Sequence, residues 1–466
     1  MLTNTEPGES RIGGAFAIGC EARVLYALLT IFDQLHSHAF LGKAMFGRAV
    51  IKALCRSPVL FSKEDSNSLL SVGAQRHLLD SSGGSEFLLG QSETLRLKLD
   101  IANNRTISEC VVDVFGFSRG AAEARVFCSW LAKIALKGRL AGIPLRIRFL
   151  GIFDTVASAG FWNGVATSIN NSTDGHAGWA EPQHLKVPPM VENCAHFIAM
   201  HELRKNFPLD EIGQSGSMPK GHIQVAYPGS HSDVGGGYGI GELGVSVGPQ
   251  SVEGDSAKLS QIPLNHMLEA ARSAGVPMAK EFAGEKYGGK DQFQVAEKVR
   301  LAFDAFLRES GAAPRHLREW MQPYLNWRWQ IRKNHAEAQH VHSANIGDKV
   351  LLKRCNAKFI EDAALLEAQG KEGRASAYVR LVVEGSLLAG SDRHYRSNES
   401  KIVHLDQEAA LVFATAKTAP PVSPSLAKFF DTFVHDSYAG FSKVMMESTG
   451  YWRYRKVFRG DGKPRF

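Results

Sequence analysis

The chain is poor in cysteine, and its cysteines form no pattern that suggests a bridge or a metal site. Six cysteines are scattered over 466 residues with no C-x-x-C pair, and several lie inside apolar runs, where cysteine usually serves as a small buried hydrophobe. H-E-x-x-H, the zinc-peptidase pattern, is also missing. The sequence therefore predicts no disulfide framework, no metal and no cofactor.

Long apolar segments are missing as well. No uninterrupted apolar run is long enough to cross a bilayer. The N-terminal residues MLTNTEPGESRIGG lack the basic-then-apolar order of a secretory signal peptide. If the protein leaves the cell, we expect it to use a route that needs no signal peptide.

The composition is that of a globular protein with a mild positive charge. Hydrophobic residues make up 44% and charged residues 22% of the chain, and the formal net charge is +7. Such a charge favours an anionic partner, for example lipid headgroups. The basic residues are dispersed and no nucleic-acid-binding motif occurs, so nucleic acid is not an expected partner.

One short stretch, Val111–Arg125, carries the strongest signal in the chain. It reads VVDVFGFSRGAAEAR: an apolar, β-branched run, a G-x-S-x-G over residues 116–120, and then apolar residues at helical spacing. Strand, tight turn and helix in this order are typical of a nucleophile elbow, with Ser118 at its tip. The alternative is a glycine-rich turn in which Ser118 is an ordinary helix N-cap.

Two further polar residues follow predicted strands. Asp154 ends the run LRIRFLGIFD, and His231 comes shortly after HIQVAY. The carboxyl ends of parallel strands meet at one edge of a sheet, so we expect Ser118, Asp154 and His231 to converge there. Serine, aspartate and histidine in this order are typical of α/β-hydrolases, in which the histidine deprotonates the serine and the aspartate orients the histidine.

Each of these roles has a rival interpretation. Asp154 could cap a turn, and His231 could merely satisfy backbone groups beside the glycine-rich loop that follows it. Asp233 is the alternative acid. His435, expected within a helix rather than just past a strand, is the alternative base.

The oxyanion hole is predicted only in part. Its first donor is expected to be the backbone N–H of Arg119, the residue after the nucleophile. Gly13, Gly14 and Gly19 are candidates for the second donor, although no strand can be placed before them.

We predict an α/β fold, similar to the α/β-hydrolases, with a mostly parallel sheet flanked by helices and a helical C-terminal or cap region. The expected divisions are a catalytic core over residues 1–245, a helical cap or membrane-docking region over 246–400 and a C-terminal segment over 401–466 that packs back on the core. The predicted strands are 111–115, 145–153, 194–200, 222–227 and an edge strand at 450–458. The predicted helices are 21–36, 43–60, 93–102, 119–136, 263–274, 296–309, 314–333, 362–369 and 426–436; residues 66–90 are expected to be irregular.

A cluster of tryptophans suggests a second function for the helical region. Trp320, Trp327 and Trp329 alternate with arginines and a lysine, as in a helix that lies at a membrane surface. The alternative is a helix with core tryptophans and a solvated basic face.

Four segments together resemble a known family. GFSRGAAEAR (116–125), FLGIFDTVAS (149–158), HELRKNFPLD (201–210) and YPGSHSDVGGGYG (227–239) are similar to the bacterial type VI secretion phospholipase effectors, the Tle lipases. SRIGGAFAIGCEARV (10–24) resembles that family's glycine-rich lead into its first helix. Members usually carry one or two strands upstream of this lead, including an Asp-Gly-Thr strand end, so we expect the chain to begin downstream of them.

The resemblance implies a nucleophile at Ser118, an acid at Asp154 and a base at His231. It implies phospholipase A-type hydrolysis of membrane glycerophospholipids by a toxin made in the bacterial cytoplasm and delivered into the periplasm of a target cell. A spike protein and a cognate immunity protein are the implied partners. The alternatives are a soluble esterase or thioesterase of the same fold, and a catalytically impaired module that binds a membrane or the spike.

Overall fold

The computed structural model describes most of the chain, in segments. These are residues 20–56, 82–101, 107–157, 180, 182–204, 207–213, 218–247, 254–278, 291–311, 317–372, 407–440 and 450–463. The candidate oxyanion residues Gly13, Gly14 and Gly19 lie outside the described residues.

A parallel sheet forms the centre of the fold. Its strands are β1 (Cys110–Phe117), β3 (Ile143–Phe153), β4 (Val191–Ala199) and β6 (His222–Tyr227), in the spatial order β1-β3-β4-β6. The short strand β2 (Arg139–Leu140) pairs with β3 in the antiparallel sense, and β5 (Leu209–Asp210) and β7 (Val457–Phe458) form a separate parallel pair. The predicted α/β class, with a mostly parallel sheet, is confirmed.

The register of the sheet brings the strand ends together. Phe117 is paired with Phe153, Phe153 with Phe197, and Ala199 with Tyr227. The residues that leave β1, β3 and β6 therefore emerge at one edge of the sheet, as the topology rule for parallel strands requires.

Helices cover the sheet and continue beyond it. They are α1 (Cys20–Ala39), α2 (Arg48–Arg56), α3 (Ser82–Ile101), α4 (Arg119–Ile134), α5 (Pro182–Leu185), α6 (His231–Gly235), α7 (Gln261–Ser273), α8 (Glu297–Ser310), α9 (Leu317–Ile331), α10 (Gln339–Ser343), α11 (Ile346–Glu372), α12 (Gln407–Thr418) and α13 (Pro424–Phe433). Within the described residues, no helix is both long and apolar enough to span a membrane.

Two large hydrophobic clusters hold most of these elements. They lie on opposite faces of the sheet, as the alternating side chains of β4 show. Cys194 belongs to the first cluster, and Ala195 and Phe197 belong to the second. The first cluster joins the sheet to α1 and α4. The second continues from the sheet into the later helices and ends at Trp452, which is fully buried.

Three predicted elements differ markedly from the observed ones. Residues 82–90 are helical, because α3 buries Leu88 and Leu95 completely and this packing outweighs the low helix propensity of serine and glycine. The helix predicted at 362–369 is the end of the much longer α11. Of the edge strand predicted at 450–458, only Val457–Phe458 is a strand.

Candidate active site

Ser118 occupies a strained turn between β1 and α4. Its backbone has φ 60° and ψ −124°, a conformation that residues other than glycine rarely adopt. Ser118 stands at the N-cap position of α4, yet its side chain makes no capping hydrogen bond. The interpretation of Ser118 as an ordinary N-cap is therefore wrong, because the hydroxyl does not do what an N-cap hydroxyl does.

The two glycines of the motif differ in what they permit. A Cβ at Gly116 would lie 2.3 Å from the carbonyl oxygen of Gly120, whereas a Cβ at Gly120 would meet nothing within 4 Å. Gly116 is therefore needed for the close approach of strand and helix. The sterics of the turn do not require glycine at position 120.

Backbone hydrogen bonds join the serine turn to the loop that carries the acid. The N–H of Ser118 donates to the carbonyl of Phe153 at 3.0 Å, and the N–H of Val156 donates to the carbonyl of Ser118 at 3.3 Å. Asp154 lies between these two partners. The serine and the aspartate are thus held on adjacent loops by the backbone itself.

Asp154 is fully buried and its carboxylate has four hydrogen-bond donors. Oδ2 accepts from Nδ1 of His231 at 2.5 Å and Oδ1 accepts from the N–H of Ala199 at 2.8 Å. Arg455 donates one N–H to each oxygen, both at 2.7 Å. The φ of Asp154 is 43°, in the left-handed region that aspartate tolerates better than most residues.

These partners determine the charge of the acid. Burial alone would raise the pKa of Asp154, but the Arg455 guanidinium and the hydrogen bond from His231 outweigh it and hold the pKa well below its usual range. The carboxylate is therefore ionised at neutral pH and able to orient the imidazole.

His231 begins α6, and aromatic rings enclose its imidazole. The ring centroid lies 4.6 Å from that of Phe117 and 4.9 Å from that of Phe207. The backbone N–H of His231 donates to Oε2 of Glu202 at 3.2 Å. Burial lowers the pKa of His231, and the carboxylate of Asp154 offsets only part of that effect.

The arrangement leaves the serine–histidine contact open. Among the residues that the structure describes, no hydrogen bond joins Oγ of Ser118 to Nε2 of His231. Such contacts are often loose without substrate and tighten in the reacting complex. With Nδ1–H donated to Asp154, the neutral imidazole has its lone pair on Nε2, which is the tautomer a general base needs.

The predicted oxyanion donor lies where the electrostatics favour an anion. Arg119 is the first residue of α4, so its backbone N–H lies at the N-terminal end of the helix. The positive end of the helix dipole lies at the same place.

The two rival residues are bonded to each other. Nδ1 of His435 lies 2.5 Å from Oδ1 of Asp233, and its Nε2 lies 3.0 Å from the carbonyl oxygen of Glu242. The prediction that His435 lies within a helix is wrong, because His435 lies past the end of α13. With both ring nitrogens engaged, His435 cannot serve as the general base, and Asp233 is not bonded to His231. The alternative acid Asp233 and the alternative base His435 are therefore both wrong.

The tryptophans belong to the core. Trp327 is buried and its ring packs 5.7 Å from that of Phe430. Trp320 and Trp329 are partly buried against the same cluster. The interleaved Arg328 is also buried, at 3.1 Å from Asp436. The membrane-contact prediction is therefore wrong for Trp327, and the other two rings are accounted for by packing.

Sequence reasoning missed the groups that support the acid and the base. Arg455 is 301 positions from Asp154, and nothing in its local sequence marks it. Glu202 and Arg204 form a buried ion pair at 2.9 Å beside His231. Burial raises the pKa of Glu202, but Arg204 more than compensates and lowers it to about 2. Both residues fall within HELRKNFPLD, one of the segments that carried the family resemblance.

Within the part of the chain that the structure describes, no group of histidine, cysteine, aspartate and glutamate side chains could hold a metal ion. Serine, histidine and aspartate chemistry needs none.

Comparison with known proteins supports the same family. Residues 137–270 match the family model of the Tle1-like type VI secretion phospholipase effectors, catalytic domain. The match contains Asp154 and His231 and begins after Ser118. It confirms the predicted resemblance over these residues. No curated protein matches the chain.

Two solved structures are similar to the chain. An uncharacterized protein from Pseudomonas aeruginosa aligns with TM-score 0.63 and 23% identity, over 96% of this chain and 69% of that one. At this identity the likeness shows a shared fold. The Tle1 effector bound to the VgrG spike aligns with TM-score 0.29 and 20% identity, over 51% of this chain and 62% of that one.

Proposed function

We propose that this chain is a serine phospholipase that hydrolyses carboxylic esters of membrane glycerophospholipids, with Ser118 as nucleophile, His231 as general base and Asp154 as the orienting acid. The observation that carries the proposal is the strained, non-capping Ser118, which backbone hydrogen bonds join to the loop of an aspartate that is bonded to a histidine. A purely structural turn has no use for this combination.

The proposed chemistry is that of a serine hydrolase. Oγ of Ser118 attacks the ester carbonyl while Nε2 of His231 accepts the hydroxyl proton. The tetrahedral oxyanion is stabilised by the N–H of Arg119 at the helix N-terminus. The C–O bond to the lysolipid breaks, and His231 gives its proton to that oxygen. Water, deprotonated by His231, then attacks the acyl carbonyl; the C–O bond to Oγ breaks, His231 returns the proton to Oγ of Ser118, and the fatty acid is released.

The substrate and the setting come from the family match and the charge. A Tle1-like catalytic domain is that of a phospholipase effector, and a net charge of +7 suits an anionic lipid surface. We propose phospholipase A-type cleavage, delivery by a type VI apparatus into the periplasm of a target cell, and a spike protein and an immunity protein as partners. Residues 246–400 are proposed as the cap over the catalytic core.

The test is lipid hydrolysis by the purified chain. Vesicles of phosphatidylethanolamine and phosphatidylglycerol with a fluorogenic phospholipid report fatty-acid release, and p-nitrophenyl butyrate reports soluble ester hydrolysis. We expect Ser118→Ala and His231→Ala to abolish release. Thr94→Ala and His342→Ala are matched controls, because each removes the same group from an exposed position and should keep full activity.

The outcomes separate the alternatives. Release that persists in Ser118→Ala contradicts the proposal. Hydrolysis of the soluble ester alone indicates an esterase of the same fold. A folded wild type that binds vesicles but cleaves neither substrate indicates a catalytically impaired binding module.

A further inference from the structure

Arg455 connects the C-terminal segment to the acid of the candidate triad. Its Nη1 and Nη2 each donate to a different oxygen of Asp154 at 2.7 Å, which is the parallel two-bond geometry that arginine forms with carboxylates. The side chain of Arg455 is 2% exposed and that of Asp154 is 0% exposed. Water therefore cannot replace the arginine without a rearrangement of the site.

The third donor of the same guanidinium supports the base. Nε of Arg455 donates to the carbonyl of Phe207 at 2.7 Å, and the ring of Phe207 packs edge-on against His231. One side chain thus holds both the carboxylate and part of the aromatic enclosure of the imidazole.

The charges around His231 are balanced in pairs. Asp154, which is bonded to the imidazole, is paired with Arg455. Glu202, which accepts from the backbone N–H of His231, is paired with Arg204. Removal of Arg455 would leave Asp154 with the N–H of Ala199 and with His231 itself as its donors. A buried carboxylate without its counter-charge is costly, and the imidazole beside it would become more basic.

We propose that Arg455 is a positioning residue of the triad, whose guanidinium holds the Asp154 carboxylate in the orientation that serves His231. The proposal rests on the function proposed above. It makes activity depend on the docking of residues 450–463, because this segment carries Arg455 to Asp154.

The docking of this segment is independently secured. Trp452 is fully buried against Phe359, with ring centroids 4.5 Å apart. Strand β7 pairs with β5, which lies just beyond Phe207 in the chain. These contacts place Arg455 between two anchors, so its position is set by the fold and not by Asp154 alone.

The experiment compares three substitutions in the 466-residue chain. In Arg455→Ala we expect kcat to fall on the order of 100-fold with little change in KM, since Asp154 loses its orientation while the 2% exposed Arg455 is too deeply buried to contact a lipid surface itself. Lys456→Ala is the matched control, because it removes a neighbouring positive charge from an exposed side chain and should leave kcat unchanged. Added guanidinium ion should partly restore Arg455→Ala only.

The pH profile distinguishes positioning from a structural role. Without Arg455 the pKa of Asp154 and that of His231 should both rise, so the acid limb of kcat/KM should move to higher pH. A loss of folded protein would lower the amplitude and leave the limb in place. If Arg455→Ala does not fold, Arg455→Lys replaces it: the charge is kept, the two parallel bonds are lost, and about a tenfold loss of kcat is expected.

A second readout does not depend on turnover. The Nδ1 proton of His231 should give a far-downfield signal in spectra of histidine-labelled protein, identified by its loss in His231→Ala. We expect this signal to shift in the Arg455 variants and to stay in Lys456→Ala. If the wild type cleaves no ester, the proposed function fails and this signal still decides the role of Arg455. An unchanged signal, or an unchanged kcat and acid limb in an active enzyme, would overturn the proposal.

Discussion

Two buried aspartate–histidine pairs lie side by side in this molecule, His231 with Asp154 and His435 with Asp233. Each pair has an Nδ1-to-carboxylate distance of 2.5 Å, and all four residues are almost fully buried. His231 and Asp233 even share the short helix α6. By the aspartate–histidine contact alone, the two pairs could not be told apart.

Their remaining contacts differ. Nε2 of His435 faces a carbonyl oxygen, and its ring lies 3.7 Å from that of Tyr238 with 11° between the planes. The carboxylate of Asp233 also accepts from the N–H and Oγ of Ser230 and from the backbone N–H of His435. Both nitrogens of His435 therefore face hydrogen-bond acceptors, so neither is available to take a proton from a nucleophile. This pair links α6 to the residues that follow α13.

The imidazole of His231 has different neighbours from that of His435. Its Nδ1 meets Asp154, its ring is enclosed by Phe117 and Phe207, and the neighbour of Phe117 is Ser118. The comparison teaches that a buried aspartate–histidine contact is not by itself a catalytic sign. The contact of the second imidazole nitrogen distinguishes a histidine that can transfer a proton from one that only links two segments.

The largest expected difference between the pairs is in activity. Asp154→Asn should lower kcat on the order of 10⁴-fold, because an amide can donate to Nδ1 and so stabilise the wrong imidazole tautomer. Asp233→Asn should keep kcat within about tenfold per folded molecule, since its partner does not transfer a proton. Ester hydrolysis normalised to folded protein measures both. Equal losses would remove the distinction between the pairs.

The second difference is in stability and runs the other way. His435→Ala leaves the buried carboxylate of Asp233 and the carbonyl of Glu242 without their imidazole partner and should cost about 3–5 kcal/mol of unfolding free energy. His231→Ala should cost less, about 1–2 kcal/mol, because Asp154 keeps Arg455 and the N–H of Ala199. Urea unfolding of both variants gives the comparison. A His231→Ala protein that is the less stable of the two would contradict it.

The parts of the site that were predictable from the sequence are local. A β-branched run, a glycine–serine turn and a helical repeat lie within 15 residues around Ser118, so the backbone alone determines where the hydroxyl is displayed. Asp154 and His231 were predictable because the ends of parallel strands meet at one edge. Both inferences depend on short-range geometry and on a general rule of sheet topology.

The rest depends on contacts between distant segments. Asp233 is two residues from His231, yet its partner lies 202 positions away. Arg328 belongs to a pattern that suggests a basic surface, but Asp436 neutralises it inside the core. Charge and aromatic periodicity are the same for a membrane-facing helix and for a core helix with buried ion pairs, so the sequence could not separate them.

A smaller effect, on pH dependence, sharpens the contrast between the two histidines. Burial lowers the pKa of His231 and Asp154 offsets only part of this, so the neutral, proton-accepting form persists below the ordinary histidine value of about 6.5. We expect kcat/KM on a soluble ester to stay high as pH falls through 6.5 and to decline only at lower pH. An acid limb at or above that value would show that His231 is not the titrating base.

The smallest effect tests the ring contact of His435. The ring of Tyr238 is stacked on the imidazole of His435, a contact worth about 1 kcal/mol. The hydroxyl of Tyr238 lies 3.5 Å from Oγ of Ser230, too far for a strong hydrogen bond. Tyr238→Phe should therefore lose only about 0.5 kcal/mol, whereas Tyr238→Leu should lose the stacking as well and cost about 1–2 kcal/mol in urea unfolding. Equal costs for phenylalanine and leucine would assign the effect to the hydroxyl and show that the ring stacked on His435 adds no stability.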